Sequence, residues 1–154
     1  MTLPRTTHDT IVVTRIYDAN PKRVFDAWGD AAALGRWYLP GDAAWTSRIE
    51  QHEFRVGGRK HLTFGPKGGP RYSEDCRYED IVENWRVCFS MTIARDGERI
   101  TTSMVTVELL PEGQRTRVRV TDQCVTLDGA DTAADRERGW GETLDKLPAE
   151  LARG

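Results

Sequence analysis

The sequence is poor in the features that announce most chemistries. Its three cysteines, Cys76, Cys88 and Cys124, are an odd number with no close pair, each inside a strand-like pattern. That spacing suits reduced, buried thiols rather than a disulfide framework. His8, His52 and His61 show no paired ligand spacing, so no metal site is expected. No G-x-S-x-G occurs, and no serine shares a recognisable motif with a histidine, which leaves a hydrolytic triad without support. The glycine-rich stretch Gly65–Pro70 has Gly68 after Lys67 where a phosphate loop needs Ser or Thr, and no helix opens behind it, so it reads as a hairpin turn. No cofactor is called for. Charge of one sign is also lacking: 22 basic against 24 acidic residues give a net charge of −2. That balance argues against a field built to capture nucleic acid or an anionic membrane. Apolar runs are as short as Ala31–Leu34, far below the ~20 residues needed to span a bilayer. Met1–Arg5 leads into no apolar signal region. A soluble, cytoplasmic protein without a membrane span is expected.

What is present suits one domain over residues 1–154, with 38% hydrophobic residues to furnish a continuous core. Residues 9–18 are rich in β-branched side chains and stop at Asn20-Pro21, where Asn can cap a helix and Pro can occupy its first position. Val24, Phe25 and Trp28 then recur at helical spacing. Gly29-Asp30 breaks that helix and recaps a second, carrying Leu34 and Trp37. From residue 45 the period changes to two, and six strands are predicted between turn signals such as Gly57-Gly58, Glu83-Asn84, Asp96-Gly97 and Pro111-Glu112-Gly113. Alternation is clearest at Val87, Phe89, Met91, Ile93; at Val105, Val107, Leu109; and at Val118, Val120. One face of an antiparallel sheet should be dry and the other wet. Arg115, Arg117 and Arg119 would form a positive stripe on the wet face, which also offers a docking patch for an acidic partner. The segment 131–152 should cover the dry face, with Asp131 or Thr132 as cap and Trp140, Leu144, Leu147, Leu151 as stripe. Pro148 predicts a kink or an early ending near Leu147. The resulting α+β order, β-α-α-β6-α, is a helix-grip layout in which a curved antiparallel sheet wraps a long C-terminal helix. Such a sheet cannot touch the helix along its whole length, and the gap is a candidate ligand cavity.

Several segments resemble the heat-shock ATPase activator homologue (AHSA-type) family, in its bacterial branch, of the START-like, birch-pollen-allergen-like (SRPBCC) superfamily. They are RIYDANPKRVFDAW at 15–28, LGRWYLP at 34–40, FRVGGR at 54–59, RYEDIVENWRV at 77–87, TDQCVTLDGADTAADRERGW at 121–140 and LDKLPAEL at 144–151. The resemblance implies the same helix-grip cavity. Its members range from co-chaperone domains to polyketide cyclase-like and small-molecule-binding proteins.

The residues set at the presumed gap are Trp37, Tyr38, Phe64, Phe89, Met91, Asp122, Trp140 and Leu144. Rigid rings offer apolar area with polar handles on Trp and Tyr. Asp122 shares parity with Val118 and Val120, so a regular strand points its carboxylate inward. It is then a polar handle or a general acid/base, the partner of an internal donor such as Arg77 or a Tyr hydroxyl, or turned outward by a bulge. Glu74, beside Tyr72, Cys76 and Tyr78, has the same ambiguity. No catalytic residue is assigned. The expected function is binding of a small hydrophobic molecule in the cavity. A polyketide cyclase- or hydratase-like enzyme using the same cavity is the alternative, and a chaperone-linked interaction module a second one. Homodimerisation is a further option.

Overall fold

The computed structural model describes residues 2–153. Strand β1 (Thr6–Tyr17) leads into helices α1 (Pro21–Gly29) and α2 (Ala31–Trp37). Six strands follow: β2 (Trp45–His52), β3 (Arg59–Pro66), β4 (Tyr72–Val82), β5 (Arg86–Arg95), β6 (Glu98–Glu112) and β7 (Arg115–Leu127). Helices α3 (Ala133–Leu144) and α4 (Leu147–Leu151) close the chain. The strands form one seven-stranded sheet in the order β1-β7-β6-β5-β4-β3-β2, every neighbour antiparallel. The helix-grip layout is therefore the fold. Its turns follow local chemistry: Asp96 and Gly97 both take positive φ, 50° and 83°, to join β5 and β6, and Asn84 does so at 67° between β4 and β5. Register shifts at Ile49/Gln51, Tyr78/Asp80 and Ile93/Ala94 bend the meander on itself.

Asn20 Oδ1 accepts the Arg23 N–H at 2.9 Å and Pro21 opens α1. Asp30 serves both helices, its N–H donating to Asp26 O at 3.0 Å and its carboxylate accepting the Ala33 N–H at 2.9 Å. Trp37 and Leu34 are thereby carried against the concave side of the sheet and lie buried in one core with Val105, Leu109 and Val118. The outer face is wet, but its arginine stripe is already matched. Arg117 forms a two-pronged bond to Glu112, at 3.0 and 3.1 Å, and Arg119 another to Glu108, at 3.1 and 3.0 Å. The expected positive docking patch is thus largely neutralised within the sheet.

The closing helix is not one long rod. Thr132 caps α3, accepting the Asp135 N–H at 3.1 Å, and α3 ends at Leu144. Pro148 does not kink this helix; it sits in the first turn of α4, where its missing N–H costs nothing. The break falls at Asp145–Lys146 and lets the tail fold beneath α1 and α2. There the buried Glu150 takes a two-pronged bond from Arg36, at 2.8 and 2.7 Å, and its carbonyl accepts from Arg23 at 2.7 Å. Trp140, Leu144 and Leu147 are buried, and Leu151 is half-buried. Because Leu144 has no exposed surface at all, Leu144→Ala is expected to lower stability by about 2–5 kcal/mol. An unchanged denaturant midpoint would contradict this placement of the helix.

Candidate functional site

Between α3 and the β3–β5 half of the sheet lies an open cleft of about 330 Å³. Each wall comes from a different element. The end of α2 supplies Tyr38, the inward positions of β3 supply Leu62 and Phe64, and β5 supplies Met91 and Ile93. Helix α3 closes the far side with Trp140 and Thr143. At one end the nearly parallel rings of Phe64 and Tyr72 lie 5.6 Å apart, with Trp45 6.4 and 6.3 Å from them and within 15° of the same plane.

A buried polar cluster forms the floor. Glu74, 7% exposed, faces the cleft from β4, and behind it stands Lys60, 1% exposed, with Nζ 3.2 Å from Glu74 Oε2. The Tyr38 hydroxyl donates to both carboxylate oxygens, at 3.2 and 3.1 Å, and the Cys76 thiol donates to Oε2 at 3.4 Å. The Lys60 ammonium also lies over the rings of Tyr38 and Phe89, 4.2 and 4.4 Å from their centroids. Burial by itself would push this ammonium down, but the phenol, thiol and carboxylate crowded around it outweigh burial and hold it up. Burial pushes both the Tyr38 phenol and the Cys76 thiol upward, assisted by Glu74, so both stay protonated as donors at neutral pH.

A second cluster holds the helix. Asp122 is fully buried, and its Oδ2 accepts from Arg136 Nη2 at 2.5 Å, Arg136 Nε at 3.2 Å and Trp140 Nε1 at 2.9 Å. Arg136 also donates to Thr101 at 3.1 Å and Ser103 at 3.3 Å. The partner of Asp122 is therefore Arg136 with Trp140, not Arg77, which pairs with Glu79 at 2.6 Å. No bulge turns Asp122 outward: it lies opposite Val105 in unbroken register.

Of the residues set at the gap from sequence, Tyr38, Phe64, Met91 and Trp140 line the cleft. The other four do not. Trp37 is buried against Trp28, with Nε1 donating to Ala27 O at 2.9 Å, and fastens α2 to α1. Phe89 lies beneath Lys60, Leu144 is in the core, and Asp122 is screened by Arg136 and Trp140. Lys60 and Arg136 are the residues that the sequence reading missed. Both carried a signal: Lys60 shares inward parity with Leu62 and Phe64, and Arg136 precedes Trp140 and Leu144 by one and two helical turns. Groups of three or more His, Cys, Asp or Glu arranged to hold a metal are absent among the described residues. No helix among them is long and apolar enough to cross a membrane.

Comparison with known proteins agrees with this architecture. The family described as "Activator of Hsp90 ATPase homolog 1-like protein" matches residues 18–152, and the chain belongs to that family. A crystal structure of a protein from Rhizobium loti is 38% identical, covering 95% of this chain and 99% of that one, with a TM-score of 0.85. An uncharacterized protein from Rhizobium leguminosarum is 30% identical over 99% of this chain and 100% of that one, with a TM-score of 0.89. A protein from the dynemicin biosynthetic locus shares the fold at 17% identity and a TM-score of 0.66, covering 93% of this chain and 47% of that one. No curated protein matches the sequence.

Two expectations follow for the clusters. Asp122→Asn keeps the shape, and its amide nitrogen can occupy the place of Oδ1, which has no partner among the described residues. What is lost is the counter-charge of Arg136, so stability should fall on the order of 3 kcal/mol, read by chemical denaturation. His52, half-buried and 2.9 Å from the Tyr78 hydroxyl, is pushed down to about 4 by burial and by Lys60, from an ordinary value of 6.5. Between pH 6.5 and 4 the unfolded chain therefore binds a proton that the folded one refuses. Stability should decline as pH falls through that window, on the order of 2 kcal/mol from this group. His52→Gln should remove that part of the slope, and identical pH profiles for the two proteins would refute the assignment.

Proposed function

We propose that the protein binds a small hydrophobic molecule in the cleft between α3 and strands β3–β5. The observation that carries this reading is the cleft itself, whose volume of about 330 Å³ is bounded by Leu62, Phe64, Met91, Ile93 and Trp140 with a few polar groups at one depth. Tyr38, Phe64, Met91 and Trp140 are the contact residues, while Asp122 and Leu144 act behind them on the helix. Membership of a family whose helix-grip fold commonly encloses ligands supports the same reading.

A second reading, a cyclase- or hydratase-like enzyme, draws on one specific feature: the Glu74 carboxylate is set in the cleft floor, where a proton could be exchanged with a bound molecule. The neighbour from the dynemicin locus lends it only a common fold. A chaperone-linked role rests on the family's name and on no arrangement of residues in the cleft.

Titration with a neutral naphthylamine dye should give saturable fluorescence enhancement at one site per chain. Phe64→Ala should weaken it several-fold, because removing the ring removes apolar contact area. Folded protein that shows no saturable response to a panel of neutral apolar dyes would overturn the reading.

A further inference from the structure

Donors and acceptors in the cleft are unequally committed. The Tyr38 hydroxyl and the Cys76 thiol both donate to Glu74. Lys60 spends its charge on Glu74 Oε2 and lies over two ring faces, with 1% of its side chain exposed, so it offers nothing to the cleft. On the helix side, Trp140 Nε1 is bound to Asp122, and Arg136 is bound to Asp122, Thr101 and Ser103. The donors that the lining could present at depth are already consumed. Acceptor capacity is not. A carboxylate has about four lone-pair sites; here Oε2 takes Lys60, Tyr38 and Cys76, while Oε1 takes only the long bond from Tyr38 at 3.2 Å. Oε1 belongs to a side chain that lines the cleft.

Resting on the reading of the cleft as a ligand site, we infer that Glu74 is its specificity-determining residue and selects a neutral aromatic molecule bearing a hydroxyl, a phenol, over its ether or its carboxylate. The hydroxyl donates to Glu74 Oε1, and the ring lies between Met91, Trp140 and the Phe64–Tyr72 pair. A ligand carboxylate at the same depth would face Glu74 with no free donor to receive it. The cation that could have served, Lys60, is already neutralised. An ammonium ligand is disfavoured by that same Lys60 charge, 3.2 Å from Glu74. Arg95, at the cleft but exposed, can meet an acid only near the solvent.

Calorimetric titration at pH 7 with 2-naphthol, 2-methoxynaphthalene and 2-naphthoate tests this. These probes share one ring system and differ in the group offered to Glu74. The naphthol should bind about tenfold or more tighter than the ether, as a hydrogen bond to a charged acceptor requires, and the naphthoate should bind weakest. Glu74→Gln alone would strand Lys60, so the paired change Lys60→Met with Glu74→Gln is used. It should reduce the naphthol preference several-fold and leave ether binding within about twofold. Equal binding of naphthol and ether by the native protein, or tightest binding of the naphthoate, overturns the inference while leaving the cleft reading intact. A preference that survives in the paired variant overturns the role of Glu74. Absence of binding by all three probes overturns the cleft reading and this inference with it. Should the paired variant not fold, the ranking of the three probes by the native protein still decides.

Discussion

The geometry of the cleft depends on one buried contact, the bond of Arg136 and Trp140 on α3 to Asp122 on β7. It fixes where the helix can lie. Arg136 reaches strand β6 as well, through Thr101 and Ser103, so α3 is pinned over the β6–β7–β1 half of the sheet. Gly141 lets it approach β1 closely, since a Cβ there would stand 3.1 Å from the Arg15 guanidinium. Beyond Leu144 the chain turns and α4 is tied to α1 and α2 through Glu150, so it adds no cover over β3–β5. A helix held at one side of a curved sheet, with its tail drawn away, leaves the other side open. The cleft is that opening.

The floor of the opening obeys a different constraint. A lysine and a glutamate with so little exposure lose most of their hydration, a cost that their mutual attraction offsets only when other hydrogen bonds complete the shell. Tyr38, Cys76 and two ring faces complete it here. An apolar pair of similar volume would serve stability as well or better. Stability is therefore a weak reason for this cluster, and a polar point at the depth of an apolar cleft is a stronger one.

Much of the fold was legible in the sequence because it is written in local rules. Asn20-Pro21, Gly29-Asp30 and Thr132 each sit where a helix must begin, and the period-two segments from residue 45 each became a strand. The site was only half legible. Parity separates inward from outward positions, but it does not say which inward side chains border empty space. Phe89 and Met91 alternate on the same strand with the same parity, yet Phe89 is roofed by Lys60 while Met91 meets the cleft. That distinction depends on how far α3 extends over the sheet, which Asp122 and Arg136 decide across 14 residues of chain. Pro148 misled for a related reason: a proline that can end one helix can equally begin the next, and only the turn at Asp145–Lys146 settles which.

The two inward acids show how far a sequence pattern can go. Asp122 and Glu74 each interrupt a dry strand face, and from parity alone they are equivalent. Their neighbours separate them. Asp122 is opposed by a guanidinium and an indole N–H that arrive on a helix, and with no surface exposed it is a structural anchor. Glu74 is opposed by Lys60, whose flexible stem comes from the adjacent strand of the same sheet, diagonal to it in the β3–β4 register. A partner on the same sheet balances the charge without covering the carboxylate from above, as a helix would. The inward acid whose counter-charge lies beside it in the sheet therefore keeps a face toward the interior space, whereas the acid whose counter-charge descends from the helix is sealed by it. For this reason the cleft meets Glu74 and not Asp122, although the sequence reading had placed Asp122 at the gap.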